Sequence, residues 1–195
     1  QCNAVGVDII ADVVLNQTTG ADVADGKQTG VAGTEYNGST GDYPGFATEQ
    51  YPEGITASDF HSCSKNISNY ANQQEVQECR LSSMWDFDSE SEKVQDIQSD
   101  YLTALWNAGV RGFRMDAVKH IHTDSMKAIK EKFAKKIGVN ADSIYWIQEV
   151  IGNSSEAAGI QPSNYVQNGT VTEFGFKSEM NQAFKDKIAN LKGLN

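Results

Sequence analysis

Arg114, Asp116 and Glu149 are spaced so that a cation and two carboxylates could meet at one end of a sheet. Residues 112–120 read GFRMDAVKH, and the period of two along a strand puts Arg114 and Asp116 on one face, Phe113 and Met115 on the other. Glu149 sits near the end of a second apolar run, IYWIQEVI, at 144–151. Neighbouring parallel strands lie about 4.8 Å apart, so carboxylates at their ends come roughly 5–5.5 Å apart. At that separation one carboxylate can attack an anomeric carbon while the other protonates the leaving oxygen and later deprotonates water. Arg114 is expected to keep Asp116 ionised. The apolar flank of Trp146, Ile147, Val150 and Ile151 is expected to raise the pKa of Glu149, so that the two acids divide the work. Taken singly, Arg114 with Asp116 is as well an ordinary ion pair, and Glu149 a solvated strand end.

Strands in register must hold these side chains. Residues 5–15 (VGVDIIADVVL) form a β-branched apolar run that predicts a buried parallel strand ending at Asn16. Residues 112–118, 144–151 and 170–176 predict three more strands. Helical spacing recurs in Val94, Ile97, Tyr101, Leu102, Leu105 and Trp106 up to Gly109, then in Met126, Ile129, Phe133 and Ile137, and last in Met180, Phe184, Ile188 and Leu191. Such alternation implies a parallel sheet covered by helices, either doubly wound or closed into a barrel, with catalytic groups at the carboxyl ends of its strands. Between Gln17 and about Met84, Gly, Ser, Thr, Asn and Asp dominate with little periodicity, which predicts a long irregular excursion of functional weight.

Composition narrows the partners. The chain has 195 residues, 39% hydrophobic and 22% charged, enough to bury one substantial core. Against 16 Lys and Arg stand 26 Asp and Glu, a net charge of −10 that disfavours nucleic acid and suits a neutral substrate. No apolar run is long enough to span a membrane. Three cysteines, Cys2, Cys63 and Cys79, are an odd number.

The run GFRMDAVKH resembles the GFRxDAxKH signature of the α-amylase family. WIQEV is similar to that family's general-acid strand, and residues 12–16 (DVVLN) to its first signature. The resemblance implies a partial TIM (β/α)8 barrel, supplying about strands three to six. Residues 1–16 and 86–195 would be barrel, and 17–85 a small inserted domain after the third strand. It implies endo-hydrolysis of α-1,4-glucan by a retaining double displacement, with Asp116 as nucleophile, Glu149 as acid/base and Arg114 as the orienting cation. Lys119, His120, Tyr70, Asp12 and Gln17 would bind substrate, Gln17 replacing the family's usual histidine. A structural calcium ion would take the side chains of Asn16 and Asp86, with Asp88 the alternative to Asp86, and the carbonyls of Gln77 and His120. Chloride near Arg114 is left open. Cys63 and Cys79 match a disulfide of the animal-type branch, and Cys2 a half-cystine whose partner lies upstream. The resemblance further implies a secreted monomer that acts on α-glucan. It implies that the chain starts inside the protein and that a third carboxylate lies beyond Asn195, leaving the isolated chain inactive. Rival readings are a transglycosylase of the same fold and a non-catalytic carbohydrate-binding relative.

Overall fold

The computed structural model describes residues 2–18, 27–29, 33, 35–37 and 54–186. Four parallel strands form one sheet in the order β1 (Ile9–Val13), β4 (Val110–Met115), β5 (Tyr145–Gln148) and β6 (Thr170–Val171). An antiparallel pair, β2 (Lys27–Thr29) and β3 (Glu35–Asn37), stands apart. The helices are α1 (Gln73–Glu78), α2 (Glu92–Asn107), α3 (Thr123–Ile137) and α4 (Gly175–Asp186).

Periodicity places α2 and α3 well because each buries one stripe and stops at a glycine. Gly109 and Gly138 have φ of 108° and 72°, conformations that cost residues with a Cβ. The strands are shorter than their apolar runs. Cys2–Val5 is a 3-10 turn, Gly6 breaks the chain at φ 75°, and Val5 and Val7 are exposed, so the strand expected from residue 5 begins at Ile9. The run 170–176 keeps only two strand residues. Thr172 spends its hydroxyl on the backbone of Gln148 and Val150, and the Glu173 carboxylate accepts from the Gly175 amide where α4 begins. Ile188 and Leu191, assigned to that helix from sequence, lie outside the described residues, as does much of the 17–85 segment.

The core settles the architecture left open above. Phe113 and Met115 of β4, Val13 of β1 and Trp146 of β5 pack against Leu102 of α2 and Phe133 of α3. The opposite face carries Ile10, Asp12, Arg114 and Tyr145. Registers Asp12↔Arg114, Arg114↔Ile147 and Gly112↔Tyr145 align these residues across the strands. A side chain at Gly112 would strike Tyr145 and Ile10, at 2.9 and 3.2 Å from an added Cβ, so glycine there lets its neighbours close over the strand. Among the described residues, helices pack on one face of the sheet only. This is the wall of a partial (β/α)8 barrel, not a doubly wound sheet. Ile10 (51% exposed) lies on the face opposite the helices, the inner face of this wall. No helix among the described residues is long and apolar enough to cross a membrane.

The excursion has more order than its composition suggests. Residues 16–18 run beside 85–87, with Phe87 N–H donating to the Asn16 carbonyl and Thr18 N–H to that of Trp85. Phe60 stacks on Phe87 at 4.5 Å between ring centroids. Cys63 and Cys79 form a disulfide across a sequence separation of 16, and Cys2 is free and exposed. A loop of that length restricts the unfolded chain enough to contribute about 3 kcal/mol. Replacing both cysteines by serine is therefore expected to lower unfolding free energy by that order in denaturant titration. An unchanged midpoint would show that the cross-link adds nothing.

Candidate active site

The sheet's carboxyl edge brings Asp12, Arg114, Asp116 and Glu149 together. Asp116 and Glu149 each lie one residue beyond their strands, held there by Asp116 N–H donating to the Val13 carbonyl and Glu149 N–H to that of Met115. Their side chains converge on one guanidinium. Arg114 Nη1 donates to Asp12 Oδ1 and Asp116 Oδ1, both at 2.7 Å, and Nη2 lies 2.8 Å from Glu149 Oε1. Hydrogen bonds from Nη1 and an ion pair at Nη2 bring the two acids to the two ends of one planar guanidinium.

The surroundings of Glu149 differ from the sequence expectation. Trp146 and Val150 turn into the core, and the carboxylate meets Arg114 and a backbone amide instead. That amide is Ala117 N–H, 3.0 Å from Glu149 Oε2. Ala117 adopts φ 48° and ψ 41°, a left-handed conformation unusual for a residue with a Cβ. Nothing in the sequence marks this turn, since alanine carries no preference for positive φ.

The 3-10 turn Val118–His120 follows directly and buries Lys119 and His120. Lys119 Nζ donates to the Ile151 carbonyl at 2.9 Å and to both oxygens of Glu156 at 2.9 and 3.1 Å, and it lies 4.6 Å from the centre of the Tyr70 ring. Tyr70 meets His120 edge-on at 6.3 Å. Lys119, His120 and Tyr70 are thus one cluster, with Glu156 a member that the motifs do not reveal. Burial pushes the His120 imidazole down to about 4, and its ring is bonded to the Val76 carbonyl at 2.9 Å. Gln17 is buried beside Asp86, and its amide nitrogen finds no partner among the described residues.

Asn16, Asp86 and the His120 carbonyl converge below this cluster. Asn16 Nδ2 lies 2.5 Å from Asp86 Oδ1 and 3.1 Å from the His120 oxygen. The amide turned half a revolution would present its oxygen at the same place. Burial pushes the Asp86 carboxyl up to about 6, against the lowering hydrogen bond from His61. A buried carboxylate, a carbonyl and a side-chain amide suit a hard divalent cation. Asp86 rather than Asp88 stands beside Asn16. Gln77 reaches the same corner through its side chain, which donates to the Tyr165 hydroxyl at 3.1 Å and the Ile121 carbonyl at 3.4 Å. Its contacts thus brace the turn after His120, and no hydrogen bond joins it to Asn16 or Asp86.

Known proteins with this pattern are numerous. An α-amylase of Thermomonospora curvata is 36% identical over 99% of the chain and 30% of its own length. One from Pecten maximus is 33% identical over 98% of the chain and 37% of its own length. The crystal structure of α-amylase I from Eisenia fetida superposes with a TM-score of 0.77 at 32% identity, covering 98% of this chain and 39% of that one. A mutant of the same Eisenia fetida enzyme was determined as a maltohexaose complex, with a TM-score of 0.79 at 31% identity, covering 98% of this chain and 39% of that one. The chain spans about a third of the length of the relatives it matches. No family model matches it.

Proposed function

From the chain's membership of the α-amylase family, we propose that the intact protein carrying it hydrolyses internal α-1,4-glucosidic bonds of starch-like glucans with retention of configuration. The observation that supports this most is the Arg114 fork shared by Asp116 and Glu149. Asp116 attacks C1 as Glu149 gives its proton to the glycosidic oxygen, and the leaving sugar departs. Water then attacks C1 of the glycosyl-enzyme as Glu149 takes its proton, and Asp116 is released unchanged. Arg114 orients both acids. Lys119, His120, Tyr70, Asp12 and Gln17 line the sugar site. Maltohexaose in the Eisenia neighbour supports an α-glucan in this cleft. We assign 1–16 and 86–195 to the barrel and 17–85 to an inserted segment, in a secreted, monomeric enzyme. Chloride beside Arg114 has no observation in its favour here.

The experiment is proton NMR of oligosaccharide cleavage by the intact protein. New reducing ends should appear first as the α-anomer. First-formed β-anomer would refute retention, and cyclic or branched glucans without reducing ends would favour transglycosylation.

Calcium would be held by Asn16, Asp86 and the His120 carbonyl, with the Gln77 carbonyl as a further ligand, and would tie the inserted segment to the barrel. Chelation is expected to lower the melting temperature of the intact protein by several degrees. In Asp86→Asn the shift should disappear; a wild-type shift in that variant would move the ion elsewhere.

The strained turn makes a separate prediction. Ala117→Gly keeps the N–H on Glu149 without the cost of a Cβ. A β-branched valine resists positive φ at a cost of about 1–3 kcal/mol. We expect roughly tenfold or greater loss of kcat/KM in Ala117→Val and near-wild-type values in Ala117→Gly. Equal activity in the two would show that the amide does not position Glu149.

A further inference from the structure

We propose that His61, Asp88 and Glu90 form a second metal site, for a borderline divalent ion of the zinc class, distinct from the calcium ligands and independent of the catalytic reading. His61 Nε2 lies 3.1 Å from Glu90 Oε2 and 3.7 Å from Asp88 Oδ1, and one ligand atom from each of the three residues falls within 4.8 Å of the others. Tetrahedral zinc with bonds of about 2.0–2.1 Å holds its ligand atoms roughly 3.3 Å apart. The two separations from His61 bracket that value.

The mixed nitrogen and oxygen set separates this site from that of a hard cation, since calcium takes oxygen and leaves imidazole aside. His61 is also oriented as a metal-bound histidine is. Its Nδ1 is bonded to Asp86 Oδ2 at 2.6 Å, which leaves Nε2 facing Asp88 and Glu90. Asp86 therefore serves the two sites differently, as a ligand for calcium and as the outer carboxylate that fixes the His61 ring. From another element, His122 Nε2 lies 2.9 Å from the second oxygen of Glu90 and braces that carboxylate.

The backbone beneath is built. Phe60 and Phe87 pair as an antiparallel bridge with their rings stacked. His61 N–H donates to the Asp86 carbonyl at 2.9 Å, and Asp88 N–H to that of Asp59 at 3.0 Å. His61 and Asp88 thus follow directly on a paired aromatic step, and Glu90 is held by its N–H on Asp88 Oδ1 at 3.2 Å. Ligands drawn from both sides of this bridge would make the ion a clamp between residue 61 and the loop leading into α2.

The test is calorimetric titration of zinc chloride into calcium-saturated intact protein. One zinc per chain is expected, undisplaced by excess calcium. In the double variant Asp88→Asn/Glu90→Gln affinity should fall at least tenfold, while calcium-dependent melting stays as in wild type. No zinc binding, or equal affinity in the variant, overturns the proposal. So does zinc that competes with calcium one for one, because it would then occupy the Asn16–Asp86 ligands. If the variant does not fold, anomalous scattering from zinc-soaked wild-type crystals decides. A peak about 2.0–2.1 Å from His61 Nε2 is expected; a peak elsewhere, or none, refutes the site.

Discussion

Asp116→Asn is expected to reduce kcat on α-glucan by about 10⁴-fold or more while leaving the fold intact. Removing a nucleophile from a cooperating set forfeits nearly the whole covalent route, which is why such losses far exceed those of a single hydrogen bond. The amide is isosteric and can still accept from Arg114 Nη1, now 2.7 Å from Asp116 Oδ1, so thermal unfolding should move little. The exchange also removes one of three negative charges facing a single guanidinium, and Asp12 and Glu149 remain to hold the arginine. An active Asp116→Asn variant would assign the attack to another group. A variant that fails to fold would make Asp116 a structural ion-pair partner.

Glu149→Gln is expected to cost about 10²–10⁴-fold on natural glucan, the range typical of general acid–base catalysis. Its diagnostic is the dependence on the leaving group. A sugar bound to a good leaving group, such as fluoride, departs without protonation, so the first step should recover on glucosyl fluoride while the second, which needs a base toward water, stays slow. An initial burst of fluoride followed by slow turnover is the expected pattern. Equal loss on glucan and fluoride from the first turnover would mean that Glu149 only binds or orients. Glutamine has a single acceptor oxygen, so it can keep the contact with Arg114 Nη2 or that with Ala117 N–H, and its NH2 faces the other donor. The fluoride substrate is what keeps loss of the proton apart from loss of geometry.

The central constellation was legible in the chain because a strand's alternation is simple. Arg114 and Asp116 share a face, Phe113 and Met115 share the other, and the packing follows that division. The helices α2 and α3 were legible for a related reason, each having a buried stripe and a terminal glycine. What the pattern hides is where a strand stops. An apolar run such as 5–15 or 170–176 has the composition of a strand on both sides of its true end. A backbone break at Gly6, or the side-chain bonds of Thr172 and Glu173, decides the boundary.

Contacts between distant residues were the least visible part. Lys119 was singled out by its motif, but Glu156, which fixes its ammonium, lies in an unremarkable loop and is joined to it only by the folded chain. His61 is one histidine in an irregular stretch, and its place between Asp86 and Glu90 depends on the Phe60–Phe87 pairing. The expected apolar setting of Glu149 failed for a similar reason. Neighbours in sequence along a strand point to the opposite layer, so Trp146 and Val150 are near Glu149 in number while facing the core.

The most direct measurement is to trap the glycosyl-enzyme. The intact protein would be incubated with a fluorinated glucosyl fluoride that forms the covalent intermediate readily and loses it slowly, then digested and mapped by mass spectrometry. A single sugar label on the carboxylate of Asp116 is expected. A label on Glu149 or on any other residue, or turnover without a trapped intermediate, would contradict the account.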